Sequence, residues 1–370
     1  MEKMNFSKSL LLGALTSFLG LVFLSEILLR LTVPTGFWYR HLDLSADFTS
    51  LPEIRDRLRH GTQGNPEILI LGDSILGASA LMEHRVPGAR TLTLGRFLNH
   101  ELGLKGIHAL PLGADGVLLP DLLALSAELL PGDGTKLLGP RPEKILLLLN
   151  FRMFAQDFAS GPKALSRDFL REDLPSSVLT ALGTDPKKTE EIRLSDRLYD
   201  FLCGHCFLFR ETQMAKTLWY YPTQKDFFQR QLERVMGPPK EDEDLVEACL
   251  KLKIAAYYQA YHWPPDALPY QSLALLLDKL KQSGIPVEVV LSPQNPGFLG
   301  DYLDRPSYEN NRKNLKVFMK AHGFEGLEYQ DWSNRYGPRS FLDHCHLTPE
   351  GNQAYSKDLA DLLAGNGKNS

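Results

Sequence analysis

The run Lys144-Ile145-Leu146-Leu147-Leu148-Leu149 has no polar side chain after its first residue and stops at Asn150. A run this short and this uniformly apolar reads as a strand, and one without polar alternation needs cover on both faces. That demand is met by a parallel sheet wrapped by helices. Strand-like segments of the same kind fall at Glu67–Leu71 and Val287–Leu291, with shorter ones at His108–Leu112 and Leu327–Tyr329. Helical spacing covers Leu119–Leu130, Tyr270–Gln282, Tyr308–His322 and Pro349–Leu363. The alternation predicts a doubly wound, three-layer α/β fold with a parallel sheet of about five strands. Such sheets gather their ligands at the carboxyl ends of the strands. Ser74, Gly116, Asn150 and the Ser292–Pro296 loop all lie at those ends.

The chain has 370 residues, a formal charge of −4 and 43% hydrophobic residues. That is enough for one large domain carrying an insertion. The near-neutral balance supplies no basic field for nucleic acid, so a nucleic-acid partner is not expected. The sheet pattern occupies 67–153 and 270–365. It is interrupted by 154–269, a stretch of helical spacing rich in aromatics that predicts a helical insertion. Leaving and returning at the carboxyl edge, the insertion is expected to act as a lid, with Trp219, Tyr220, Tyr221, Tyr257, Tyr258 and Trp263 either lining a pocket or forming its own core. Cys203-Gly204-His205-Cys206 has thiol-oxidoreductase spacing, but its flanks lack the strand-then-helix context that such chemistry needs. A local disulfide between Cys203 and Cys206, or two buried thiols, both stay open.

Residues 1–33 differ from the rest. Ser9–Ser25 carries no charge, and the apolar character runs on to Val33. This reaches the roughly 20 residues that span a bilayer. Glu26 and Arg30 are spaced to pair on one helical face, and Phe37, Trp38 and Tyr39 follow where interfacial aromatics sit. No small-x-small cleavage site closes the run. A single-pass anchor over 1–33 is therefore expected, with the bilayer contacted through 9–33 and a juxtamembrane segment at 34–66. Lys3 and Lys8 before the run put the remainder of the chain outside the cytoplasm.

Two distant segments carry the chemistry. Ile68-Leu69-Ile70-Leu71-Gly72-Asp73-Ser74 puts a serine at a strand end, and with Ile75–Ala80 following it suggests strand, tight turn, helix. Asp343-His344-Cys345-His346 puts an Asp-x-x-His pair before the last helix. A serine needs a base to take its proton, and the base needs a partner to hold its tautomer. Ser74, His346 and Asp343 supply those three groups, with His344 as a competing base. A metal site at His344-Cys345-His346 has too few ligands by itself, and neither metal nor cofactor is expected.

The Gly-Asp-Ser block and the Asp-x-x-His block together resemble the SGNH (GDSL-type) hydrolases, over residues 67–150 and 285–365. The resemblance implies a flavodoxin-like sheet and an oxyanion hole built from the Ser74 and Gly116 amides and the Asn150 side chain. Gly113 is an alternative to Gly116. Pro111 stands where the family has Asn, and Asn150 lacks the usual flanking Gly and Asp. The ending of the 1–33 run is similar to membrane-anchored bacterial members. The implied activity is a serine esterase acting on acyl or acetyl esters of a cell-envelope carbohydrate or lipid, periplasmic or at the cell surface. Two alternatives share these residues: an O-acyltransferase for an envelope polysaccharide, supplied by a membrane acyl-donor protein, and a non-catalytic binding or assembly protein on the same scaffold.

Overall fold

The computed structural model describes residues 66–78, 80, 81, 84, 86–114, 117–130, 141–154, 268–298 and 305–365, with Gly13, Thr16, Ser17, 20–28 and Leu31 near the N-terminus. The chain divides into two compact units, and everything described from residue 66 onward lies in the larger. The N-terminal residues named are helical. Among the described residues no helix is long and apolar enough to cross a membrane. Most of the 1–33 stretch expected as an anchor lies outside the described residues, as do 34–65 and almost all of the 154–269 insertion with its six named rings. Gly116, Cys203 and Cys206 also lie outside them.

Five strands form one parallel sheet: β1 (Ile68–Asp73), β2 (Ala109–Ala114), β3 (Lys144–Leu149), β4 (Val287–Leu291) and β5 (Leu327–Asp331). Their spatial order is β2-β1-β3-β4-β5. This is the flavodoxin-like order, in which the chain reverses its direction of winding between β1 and β3. The double burial read from the sequence is realised on β3, where Ile145 to Leu149 are all fully inaccessible. Leu69, Leu71, Ile145, Leu147, Leu149, Val287 and Val289 point into one core. Ile68, Ile70, Leu146, Leu148 and Val290 point into the other. Each buried leucine contributes about 1.5–3 kcal/mol through removal of apolar surface from water. Glu288 is the polar exception on β4. Burial, then the charge of Glu328 across the ladder, push its carboxyl up to about 7.

Helices α1 (Leu94–Leu104), α2 (Leu119–Leu129), α3 (Leu268–Ser283), α4 (Arg305–His322) and α5 (Pro349–Leu363) cover the two faces. Leucines of α2 and α3 close the first core with Leu315 and Met319 of α4. Leucines of α1 and α5 close the second. The three layers, the five strands and helices α2 to α5 thus match the expectation from sequence. The tight turn expected after β1 is a single 3-10 turn over Ser74–Leu76, and Ala80 and Leu81 beyond it are helical. The Asp73 side chain accepts the Ile75 N–H at 3.1 Å, closing a tight turn, and Gly77 then returns to extended backbone. Helix α1, on the same side as α5, is not among the helices expected from the sequence. Thr93 caps its start by accepting the Arg96 N–H at 3.2 Å, and Leu94, Leu98 and Leu102 form its buried stripe.

β2 is an edge strand, which is why Pro111 is tolerated within it. Beside it, Gly113 lets the end of β2 approach β1 closely: a Cβ there would sit 2.6 Å from the Asp73 carbonyl oxygen and 3.0 Å from Leu76 Cδ1. Gly113→Ala should therefore force the two strand ends apart and lower unfolding free energy by about 1–3 kcal/mol, as overpacking does. Chemical denaturation measures this, and an unchanged midpoint would mean that the strand ends yield freely.

Candidate active site

The order of the strands brings the ends of β1 and β3 side by side, since those two strands pair directly. Ser74 follows β1 and Asn150 follows β3. The third contribution comes from the Asp343–His346 loop, which is closed by the Phe341–Leu347 bridge and runs into α5. Thr348 caps α5 by accepting the Gly351 N–H, and Pro349 begins its first turn.

These elements join three of the residues singled out in the sequence. Ser74 Oγ lies 2.9 Å from His346 Nε2, and His346 Nδ1 lies 2.7 Å from Asp343 Oδ2. A carboxylate can only accept, so Nδ1 carries the proton and Nε2 turns its lone pair toward the Ser74 hydroxyl. The other Asp343 oxygen accepts the backbone N–H groups of Cys345 and His346 at 2.9 and 2.7 Å. Ser74, Asp343 and His346 are 3%, 4% and 8% exposed, so the relay works in a low-dielectric setting that strengthens each of its hydrogen bonds.

His344, the competing base, takes a different partner. Its Nε2 lies 3.3 Å from the Cys345 sulfur, and its Nδ1 lies 3.6 Å from Asp343 Oδ1. The Cys345 thiol, placed between both imidazoles, is pushed up by burial. The charge of His344 and then His346 reverses this and brings it down to about 6. Nothing in the sequence pattern marked that sulfur beyond its position inside the motif.

Asp343, His344 and Cys345 each offer a ligand atom within 4.8 Å of the others, so the group was tested as a metal centre. The Asp343 oxygens already receive three N–H donors. A cation there would have to strip the carboxylate from the His346 ring or from the loop backbone. The donor set fits the imidazole better than a metal.

Asn150 is fully buried. Its Oδ1 accepts the Arg152 N–H at 3.1 Å and faces Gln294 Nε2 at 3.5 Å. Its Nδ2 has no partner among the described residues. A buried amide donor without an acceptor costs about 1–3 kcal/mol. An incoming oxygen would remove that cost, which is the property an oxyanion donor needs. Gly113, the alternative to Gly116 as a backbone donor, has its own reason to be glycine in the strand approach described above. The sequence did not single out Gln294 and Asn295 individually, although it marked their loop. Asn295 accepts nothing from the relay but donates to it from behind, through its backbone N–H to the His344 carbonyl and its Nδ2 to the Asp343 carbonyl.

No family model and no curated protein matches the chain. Among solved structures it is similar to one from Streptococcus pneumonia described as "a putative platelet activating factor". The TM-score is 0.34 and the identity 14%, over 84% of this chain and 90% of that one. A likeness that distant carries no weight beside the geometry.

Burial disfavours charge on both members of the Asp343–His346 pair, yet their mutual attraction prevails. The charges of His346 and then His344 hold the Asp343 carboxyl well below the usual range. The Asp343 charge, followed by that of Cys345, holds His346 well above the usual imidazole value. The pair's contribution to stability is then full between the unfolded-state values, about 3.9 for Asp and about 6.5 for His. It is lost as pH rises through the folded His346 value, and again as pH falls through the folded Asp343 value. In an NMR titration, His346 should keep its proton above the ordinary midpoint. Asp343→Asn should bring that midpoint down, and an unmoved midpoint would exclude the carboxylate as the cause.

Proposed function

We propose that this chain is a serine hydrolase of SGNH type, which cleaves acyl or acetyl esters of a cell-envelope carbohydrate or lipid through an acyl-enzyme on Ser74. The observation that carries the reading is the hydrogen-bonded line Ser74 Oγ–His346 Nε2, His346 Nδ1–Asp343 Oδ2, at the strand ends where flavodoxin-like sheets bind ligands. The unpartnered Asn150 amide supports it from the neighbouring strand.

In the first half-reaction, Ser74 Oγ forms a bond to the ester carbonyl carbon as its proton passes to His346 Nε2. The carbonyl π pair moves onto oxygen, toward the Asn150 Nδ2 donors and the Ser74 backbone amide. Asp343 stays ionised and stabilises the imidazolium. Collapse breaks the carbon–oxygen bond to the alcohol, which leaves with the proton from Nε2. A second nucleophile, deprotonated by the same nitrogen, then attacks the acyl carbon; the bond to Ser74 Oγ breaks and the proton on Nε2 returns to that oxygen, freeing the acyl product.

When that nucleophile is water, the enzyme is an esterase. A sugar hydroxyl would make it an O-acyltransferase through the same steps. The apolar run over 9–33 supports envelope substrates for either, reached from a membrane anchor outside the cytoplasm.

Ser74→Ala and His346→Ala should each remove nearly all turnover of a short-chain aryl ester. The double variant should lose little more, because such residues act as a unit. Asn150→Ala should lower turnover about a hundredfold, the scale of one oxyanion donor. Additive losses from Ser74 and His346 would separate their roles and break the triad. A folded wild-type protein that turns over no ester, with or without an alcohol acceptor, would favour a binding scaffold instead.

A further inference from the structure

The relay depends on where the Asp343 carboxylate stands, and that carboxylate stands on a loop with no regular structure of its own. What fixes the loop to the sheet is the turn after β4. Gln294 N–H donates to the Ser333 carbonyl at 2.8 Å, tying this turn to the end of β5. The next residue, Asn295, is 6% exposed and uses its backbone N–H and both ends of its side-chain amide. Its backbone N–H donates to the His344 carbonyl at 2.8 Å, and its Nδ2 donates to the Asp343 carbonyl at 2.9 Å. Its Oδ1 accepts the Gly297 N–H at 2.9 Å, which fixes the orientation of the amide. Two successive carbonyls of the Asp-x-x-His loop are thus held by one residue from another strand.

We infer that Asn295 is a positioning residue for the base: it locks the Asp343–His344 backbone so that the Asp343 carboxylate meets His346 Nδ1 in line. This rests on the triad reading above, but the hydrogen-bond geometry it predicts is measurable whatever the reaction. Asn295 touches none of the reacting atoms. Its effect runs through Asp343. Side chains at such sites are useful only when held within a fraction of an ångström, and a misplacement near 1 Å can lose about a hundredfold in rate.

The test is the low-field proton resonance of His346 Nδ1–H in the full chain, identified by its disappearance in His346→Gln. Asn295→Ala should shift that resonance upfield or broaden it by solvent exchange. On a short-chain aryl ester, kcat should fall about tenfold to a hundredfold with KM little changed. Asn295→Leu keeps a similar size and the backbone donor, adds no charge, and removes the donor to the Asp343 carbonyl together with the Gly297 contact. It should reproduce both effects, and it decides the matter if the alanine variant does not fold. An unchanged resonance or unchanged turnover in a folded variant overturns the inference. A wild-type protein that shows the resonance, loses it on substitution of Asn295 and yet hydrolyses no ester would leave the positioning role standing and remove the esterase reading.

Discussion

A carboxylate removed from water has to be surrounded by donors, and Asp343 organises the site by meeting that requirement. It is buried, and it receives two main-chain N–H groups from its own loop and one ring N–H from His346. Three donors on a buried anion set the path of residues 343–346 and the plane of the imidazole at once. The Leu342 N–H to His346 carbonyl bond and the Phe341–Leu347 bridge close the loop at its base. The nitrogen left over, Nε2, has little choice but to face the end of β1. The pull of the two charges on each other works against the penalty of burial, and it holds the Asp343 carboxyl below and the His346 imidazole above their ordinary values.

The sheet supplies the other half. Reversal of winding between β1 and β3 brings their carboxyl ends together at the switch point where sheets of this order bind ligands. The residues that emerge there are those that leave the ladder, Ser74 by way of the Asp73 turn and Asn150 by way of the 3-10 turn Phe151–Phe154. The Asn150 side-chain oxygen is occupied and, among the described residues, its amide is not, which suits an incoming oxygen. The β4 turn links this side to the loop of Asp343, through Gln294 to Asn150 and through Asn295 to the Asp343 and His344 carbonyls.

Much of this was open to reading in the chain, for reasons that differ by residue. The strands β1, β3 and β4 were recognisable because an apolar run of that length with no alternation fits little else. The start of α5 was marked by Thr348, Pro349 and Glu350, a cap, a helix-opening proline and an acid in the first turn. Helix α1 escaped because Gly95 and Gly103 weaken its local preference, although its leucines recur every four residues. It holds through its packing with α5 against the second core, which is a tertiary effect. The tight turn at Ser74 was legible from the Gly72-Asp73-Ser74 run after the strand, and the Asp73 side chain closes it.

The sequence by itself determined the layer architecture and which side chains are chemically fit for a nucleophile, a base and an orienting acid, because those follow from periodicity and from side-chain proton chemistry. It could also place each at the end of a strand or before a helix. It could not place Ser74 against His346, 272 positions away, nor choose between His344 and His346 by more than spacing. That choice came from the direction in which each ring leaves a loop wrapped around a buried anion, one toward Ser74 and the other toward the Cys345 sulfur. Asn295 carried no signal at all in the chain, since an asparagine after a strand is an ordinary turn residue. Only the folded structure brings its amide against two carbonyls from a loop nearly fifty residues on, because hydrogen bonds of that kind are specified by where strands end in space and not by their order along the chain.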